Sequence, residues 1–315
     1  MLMLRLLILR TVSAIPVMLF VALIVFLLLR LSPGDPATIM AGDTATPEAV
    51  AALRSQMGLD QPLAIQFLTW IAGILQGDFG QSILSRMPVT TLIADRLAPT
   101  LILALSAIVL TVVVAVPLGA LAAWRHNTWV DRAVMALSVL GFSIPAFVVA
   151  YLLMLFFSVK SGLLPVQGYV SPLVDLGGAI RHLILPSLTL ALVFMALIAR
   201  VTRSSLLDVL NQDFVRTAKA KGNPAFRMLW RHALPNAAIP IITVIGLGIA
   251  MLISGVVVTE SVFNIPGIGR LTIDAILARD YPVVQGLMLF FALIYVVVNL
   301  LIDIAYIVVD PRIQY

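Results

Sequence analysis

The sequence predicts an all-α membrane protein with six transmembrane helices and a small helical subdomain in its first long loop. Three observations carry that reading. Of 315 residues, 61% are hydrophobic and 11% charged, whereas a soluble domain carries roughly 25% charged and roughly 45–50% apolar residues. That balance excludes a soluble globular enzyme. Six stretches are long and apolar enough to cross a hydrocarbon core, which takes about 20 residues. The basic residues concentrate in the segments between alternate stretches, the distribution that orients membrane helices.

The stretches run over 11–29, 99–123, 133–158, 183–199, 237–259 and 284–309. The first, between Arg10 and Arg30, has 19 residues and exceeds the roughly 7–15 of a cleavable signal core, so it reads as a retained helix. Pro117 and Pro145 fall inside the second and third, where they free backbone carbonyls and kink the helix. Only the sixth contains a charge, Asp303. With the N-terminus inside, segments 1–10, 124–132, 200–236 and 310–315 hold 12 Lys/Arg against 4 Asp, and the opposite side holds 8 against 10 acidic residues. Both termini are therefore expected on the cytoplasmic side.

The outer loop 31–98 contains an apolar run from Leu63 to Leu75, 13 residues, which suits an interfacial or packed helix better than a seventh span. Thr46, Pro47 and Glu48 read as N-cap, first-turn proline and dipole-matched acid of a short helix that Gly58 ends. Pro62 to Gly77 reads as a second. The expected organisation is a first helix over 1–30, this helical loop over 31–98, a transmembrane core over 99–309 and a tail over 310–315.

The 37-residue segment 200–236 holds seven of the 20 basic residues: Arg200, Arg203, Arg216, Lys219, Lys221, Arg227 and Arg231. Ser204 to Lys221 has neither Gly nor Pro, which permits a helix. Gly222 supplies a stop, Asn223 an N-cap and Pro224 a first-turn residue, and helix-compatible sequence resumes until Leu234 and Pro235. Apolar residues from Leu206 to Trp230 alternate with the cations. Such an amphipathic pair lies on anionic headgroups or docks in a groove of another protein. No nucleic-acid-binding module accompanies the basic run.

Inside the membrane, Gly246, Ala250 and Ser254 form a small-residue stripe at four-residue spacing. It serves either close packing within the chain or a pathway or partner face. Tyr295, Asn299, Asp303 and Tyr306 share one helical face, so Asn299 and Asp303 are either a structural hydrogen-bonding stripe or part of a substrate or gating site. The loop from Glu260 to Pro282, with Pro266, Gly267 and Gly269, reads as a turn-rich outer element or a plain hairpin.

Catalytic and metal sites are not indicated. Lys160, Lys219 and Lys221 lack a phosphate-cradling glycine loop, and His126, His182 and His232 form no HExxH helix. The nearest approach to a hydrolytic pair is His182 with Ser187. The sequence has no Cys, so it forms no disulfide or thiolate site. A self-contained channel or secondary transporter usually carries mid-membrane charges, and five of the six stretches carry none.

Asp213 to Asn236, DFVRTAKAKGNPAFRMLWRHALPN, resembles the cytoplasmic loop of permease subunits of bacterial ABC importers. There a Glu-Ala-Ala element is followed, after three intervening residues, by Gly and, at fixed spacing, by Leu-Pro. Ala218, Gly222 and the Leu234–Pro235 pair match; Arg216 stands at the Glu position, Thr217 at the first alanine and His232 at an aliphatic position. Leu31 to Ala37 (LSPGDPA), Gly58 to Leu63 (GLDQPL), Gly77 to Ser82 (GDFGQS), Glu260 to Leu271 (ESVFNIPGIGRL) and Asp310 to Ile313 (DPRI) resemble the first permease of dipeptide and oligopeptide importers.

The resemblance implies a type I ABC importer permease fold in the bacterial inner membrane. It implies partnership with a second permease, two ATPase subunits or domains that bind ATP and Mg, and an extracytoplasmic binding protein. No cofactor is expected in this chain. Arg216, Thr217, Ala218, Gly222, Phe226, Leu234 and Pro235 would form the ATPase-coupling loop, with Gly222 removing a side chain where two helices meet. Peptides are the expected cargo; glutathione, nickel complexes and sugars use importers with similar permeases.

Overall fold

The structure is a computed structural model that describes residues 2–31, 36–41, 45–56 and 58–309. Among them the regular elements are helices, with one isolated antiparallel bridge between Gln81 and Pro88. Four helices are long and apolar enough to cross a membrane, within Arg10–Leu27, Val89–Trp124, Leu176–Leu210 and Tyr281–Ile307. Two bent helix pairs bring the count to six if each pair is one span. The chain divides into two compact units, Met1–Ala98 with Leu271–Val296, and Pro99–Arg270 with Val297–Tyr315.

The first unit contains α1 (Leu2–Leu31), α2 (Pro36–Ala41), α3 (Pro47–Gln56), α4 (Leu63–Leu75) and the start of α5 (Val89–Trp124). Thr46 Oγ1 accepts the Ala49 N–H, the expected N-cap of α3. Gly58 and Gly77 close α3 and α4 with paired bonds, Leu59 N–H to Arg54 O and Asp78 N–H to Gly73 O among them. The apolar α4 lays Phe67 and Trp70 against Phe26 of α1, with ring centroids at 5.4 and 5.8 Å. Such aromatic contacts between helices hold a short helix that its own propensity would leave marginal. The loop that follows turns on Ser82, whose hydroxyl donates to the buried Asp280 at 2.5 Å while the Ile83 N–H donates to the other carboxylate oxygen.

The second unit is built around α8 (Leu176–Leu210), which packs against α6 (Trp129–Ser143), α7 (Ala146–Leu153) and α12 (Ala238–Phe263). The stretch expected at 183–199 is thus the middle of a 35-residue helix. Leu103, Leu185, Leu190, Phe194, Ile198, Leu252 and Phe263 are buried in its main core. The stretch expected as one kinked helix over 133–158 is two helices meeting at 104°. Pro145 forces this break, because Ile144 before it is pushed to extended backbone, φ −91° and ψ 125°. The distal part of the pair, Met154–Lys160, is π-helical.

A second bend, of 67°, separates Ala225–Asn236 from α12. Pro240 lacks the N–H that would bond the Asn236 carbonyl, and its ring excludes that carbonyl; the chain breaks at Ala237. At the other end of α12, Asn264 takes the left-handed conformation, φ 55°. The Ile265 N–H then donates to Glu260 O at 2.8 Å, ending the helix. The chain continues through α13 (Ile268–Leu277) and α14 (Tyr281–Val309).

Candidate functional site

The segment after α8 is folded against the ends of three long helices. The helix expected from Ser204 to Lys221 is interrupted at Asn211, which ends α8, and at Gln212, whose backbone is extended with φ −79° and ψ 154°. There follow α9 (Asp213–Ala220), a turn at Gly222, α10 (Ala225–Arg227), a π-helical stretch Met228–Ala233 and α11 (Leu234–Asn236). Val215, Met228, Leu229 and Ala233 are buried on Ala120 and Ala123 of α5, Leu206 and Val209 of α8, and Ala237 and Ile241 beside the 67° bend. Burying that many apolar side chains makes the segment a fixed platform instead of a solvated arm.

What the platform shows outward is the set the sequence singled out. Arg216, Thr217, Gly222, Phe226 and Pro235 are exposed, and Ala218 and Leu234 are half-buried. Phe226 is 74% exposed, with its ring 6.0 Å from that of Trp230. Arg216 reaches Asp213 at 3.4 Å as a solvent-exposed ion pair, and the Thr217 hydroxyl donates to the Asp213 carbonyl. Arg216, Lys219, Lys221 and Arg227 are exposed on the same segment as this aromatic, and a large exposed aromatic among cations has the composition of a contact surface.

Two expectations at the turn are corrected. Gly222 does not sit where helices crowd, for a Cβ there would meet nothing within 4 Å. It is required by its φ of +75°, which closes α9 with the Asn223 N–H donating to Ala218 O and the Gly222 N–H to Lys219 O. Asn223 does not cap the next helix. Its side-chain amide also donates to Ala218 O, at 3.1 Å, so it completes the end of α9, and Pro224 takes the N-cap position of α10.

Arg203, counted among the loop's cations, is turned away from that surface. Its Nε and Nη2 donate to the two carboxylate oxygens of Asp131 at 2.5 and 2.7 Å. Asp131 is buried, and it also accepts the Asn127 N–H and lies 3.2 Å from His126 Nδ1. This fork ties α6 to α8. The partners stand 72 residues apart, so no local spacing announces them.

Glu260 is the other group that sequence reading passed over. It is fully buried; its carboxylate accepts the Thr100 hydroxyl at 2.6 Å and the Arg270 N–H at 3.1 Å, and the Ile268 N–H donates to that same hydroxyl. A Cβ on Gly267 would fall 2.1 to 2.3 Å from the carboxylate atoms. The Pro-Gly turn is thus wrapped on a buried acid. An acid closing an apolar stretch, followed seven and nine residues later by Gly267 and Gly269, was the available signal.

Within the membrane helices, Gly246 is buried, and a Cβ there would come within 2.5 Å of Ile302 Cγ1. Its neighbour is therefore the chain's own last helix. Ala250 is half-buried, and the Ser254 side chain lies outside the described residues. The polar face of α14 is divided: Tyr295 and Asn299 are exposed, Asp303 is buried, and the Tyr306 hydroxyl donates to Thr243 at 2.8 Å. His182 and Ser187 do not meet, since His182 Nδ1 lies 2.8 Å from Gly178 O and Ser187 shares a hydrogen bond with Ser106. Parts of LSPGDPA and all of DPRI fall outside the described residues.

The apolar helices, four to six of them long enough to span, make this chain a multi-pass membrane protein. Residues 115–315 match the family model described as the binding-protein-dependent transport system inner membrane component, and residues 3–105 match the corresponding N-terminal model. The chain belongs to this family of ABC transporter permeases. It is 50% identical over 306 residues to a probable peptide ABC transporter permease protein of Sinorhizobium fredii, covering 97% of this chain and 98% of the relative. It is 46% identical to a putative peptide transport system permease protein of Brucella abortus, with the same coverage. It is 44% identical to the glutathione transport system permease protein GsiC of Salmonella typhi, covering 97% of each.

Proposed function

We propose that this chain forms half of the translocation pathway of an ATP-driven peptide importer in a bacterial inner membrane, with both termini in the cytoplasm. The observation that carries this reading is the platform over 213–236, which buries Val215, Met228 and Leu229 and offers Phe226 and Arg216 outward. The partners are a second permease, two ATPases that hold ATP and Mg, and a binding protein on the outer side. The platform rests on the ends of α5, α8 and α12, so a displacement applied to Phe226 and its surroundings reaches three membrane helices together. That rigid connection suits alternating access, in which ATPase closure reorients the pathway and a zwitterionic solute crosses without entering lipid. Exposure of each charge to hydrocarbon would cost roughly 2.5–3.5 kcal/mol or more.

Peptide cargo is favoured by the relatives named for peptide transport; the glutathione relative keeps that γ-linked tripeptide as the second candidate. The test is reconstitution of all the subunits in liposomes, with trialanine and glutathione titrated onto the binding protein. The expected result is uptake that requires ATP, the binding protein and an intact platform. Uptake by this chain alone would instead establish a self-contained transporter.

A further inference from the structure

The seam between α6 and α8 holds a cavity of about 170 Å³ lined by Ser138, Val139, Ser143, Ala196, Leu197 and Arg200. It lies one turn of α8 from the Arg203–Asp131 fork, and the two arginines have opposite circumstances. Arg203 is fully engaged by Asp131. Among the described residues, no hydrogen bond or ion pair holds the Arg200 guanidinium. An arginine cannot lose its proton, and beside an apolar bundle it favours an arriving anion.

The two serines define the rest of the ligand. Ser138 Oγ donates to Val134 O and Ser143 Oγ to Val139 O, each at 2.8 Å. Their single protons are thereby committed within the helix, and each oxygen keeps lone pairs to accept from a guest. A guanidinium that offers only donors, beside two hydroxyls left as acceptors, matches a carboxylate with an adjacent N–H. That pairing is the C-terminal residue of a peptide.

We propose that this cavity is a subsite of the translocation pathway that receives the C-terminal carboxylate of the solute on Arg200, with Ser138 and Ser143 accepting its amide N–H. The assignment rests on the importer reading above. The same guanidinium chemistry would also take the phosphate of an anionic lipid, and the test separates the two sources.

The complete transporter, with the binding protein, is reconstituted in phosphatidylcholine liposomes and in liposomes rich in phosphatidylglycerol. Trialanine and glutathione uptake is measured for the wild type, Arg200→Gln, Arg200→Lys and Ser138→Ala with Ser143→Ala. Arg200→Gln should lower uptake roughly tenfold or more in both bilayers, the loss expected of a charge-assisted hydrogen bond, while binding-protein-stimulated ATP hydrolysis stays within about twofold. Arg200→Lys should retain an intermediate rate, and the double serine variant should lose about two- to tenfold.

Unchanged uptake in Arg200→Gln overturns the subsite. A loss confined to phosphatidylglycerol liposomes assigns Arg200 to lipid, and an equal loss of ATP hydrolysis or failure to assemble makes it structural; either overturns the proposal. A wild-type transporter that carries neither solute overturns the importer reading itself, which keeps that failure distinct.

Discussion

Replacing Glu260 with alanine isolates the buried acid at the end of α12. Two donors lose their acceptor, the Thr100 hydroxyl and the Arg270 N–H. Hydrogen bonds to a charged group contribute about 1.5–3 kcal/mol each, so the pair amounts to about 3–6 kcal/mol before the vacated volume is counted. Glu260→Gln keeps the shape but presents an NH₂ group to one of two donors, for a loss of about 1–3 kcal/mol. Gly267→Ala should fall in the same range as the Gln variant, because its Cβ would lie within 2.3 Å of the carboxylate and overpacking typically costs about 1–3 kcal/mol. The assay is equilibrium unfolding of the purified permease in mixed micelles, with protease cleavage near Gly267 as a local readout. The expected order of stability is wild type, then Glu260→Gln and Gly267→Ala, with Glu260→Ala lowest. Equal stability of wild type and Glu260→Ala would refute the claim that the turn is organised by its acid.

Four further outcomes follow from the geometry. At Gly222, where a side chain meets open space but φ is +75°, Ala should cost about 1–2 kcal/mol of turn stability and Asn distinctly less; ATPase coupling in the reconstituted transporter should track that order, and Asn as damaging as Val would point to a steric clash with the partner. Phe226→Ala should weaken co-purification with the ATPase roughly tenfold or more, as hot-spot aromatics do, without changing permease stability. Asp131→Ala should cost toward the low end of about 3–5 kcal/mol, because Arg203 stays partly in solvent; a double variant with Arg203→Met should recover part of it in the same unfolding assay. Gly246→Ala should lose about 1–3 kcal/mol through Ile302, and Ile302→Val should restore some of it; additive losses would remove that contact from the account.

The features legible in the sequence are those decided within a few residues. Thr46, Gly58, Gly77 and Gly222 declare helix ends because capping and left-handed turns are local chemistry. The exposed face of the platform was legible because Arg216, Phe226 and Pro235 belong to one contiguous motif. Pro145 announced a disturbance in the third apolar stretch, but its 104° size depends on how α6 and α7 each settle on α8. Asn223 shows the limit at short range: it stands between two helix ends that both want an amide, and only the packed turn decides which receives it. The Asp131–Arg203 fork and the hold of Glu260 on Thr100 join residues 72 and 160 apart; such pairs exist only once the helices have chosen neighbours.

After Pro186, α8 runs to Leu210 without another proline or a glycine, a span of about 36 Å at about 1.5 Å per residue. Its far turns carry Leu206 and Val209 under the platform, Arg203 locked to Asp131, and Arg200 at the cavity with Ser138. A continuous hydrogen-bonded rod has no joint at which to absorb a push. A tilt imposed at Val209 must therefore swing Arg200 in the same stroke, so docking surface and cavity act as the handle and blade of one lever.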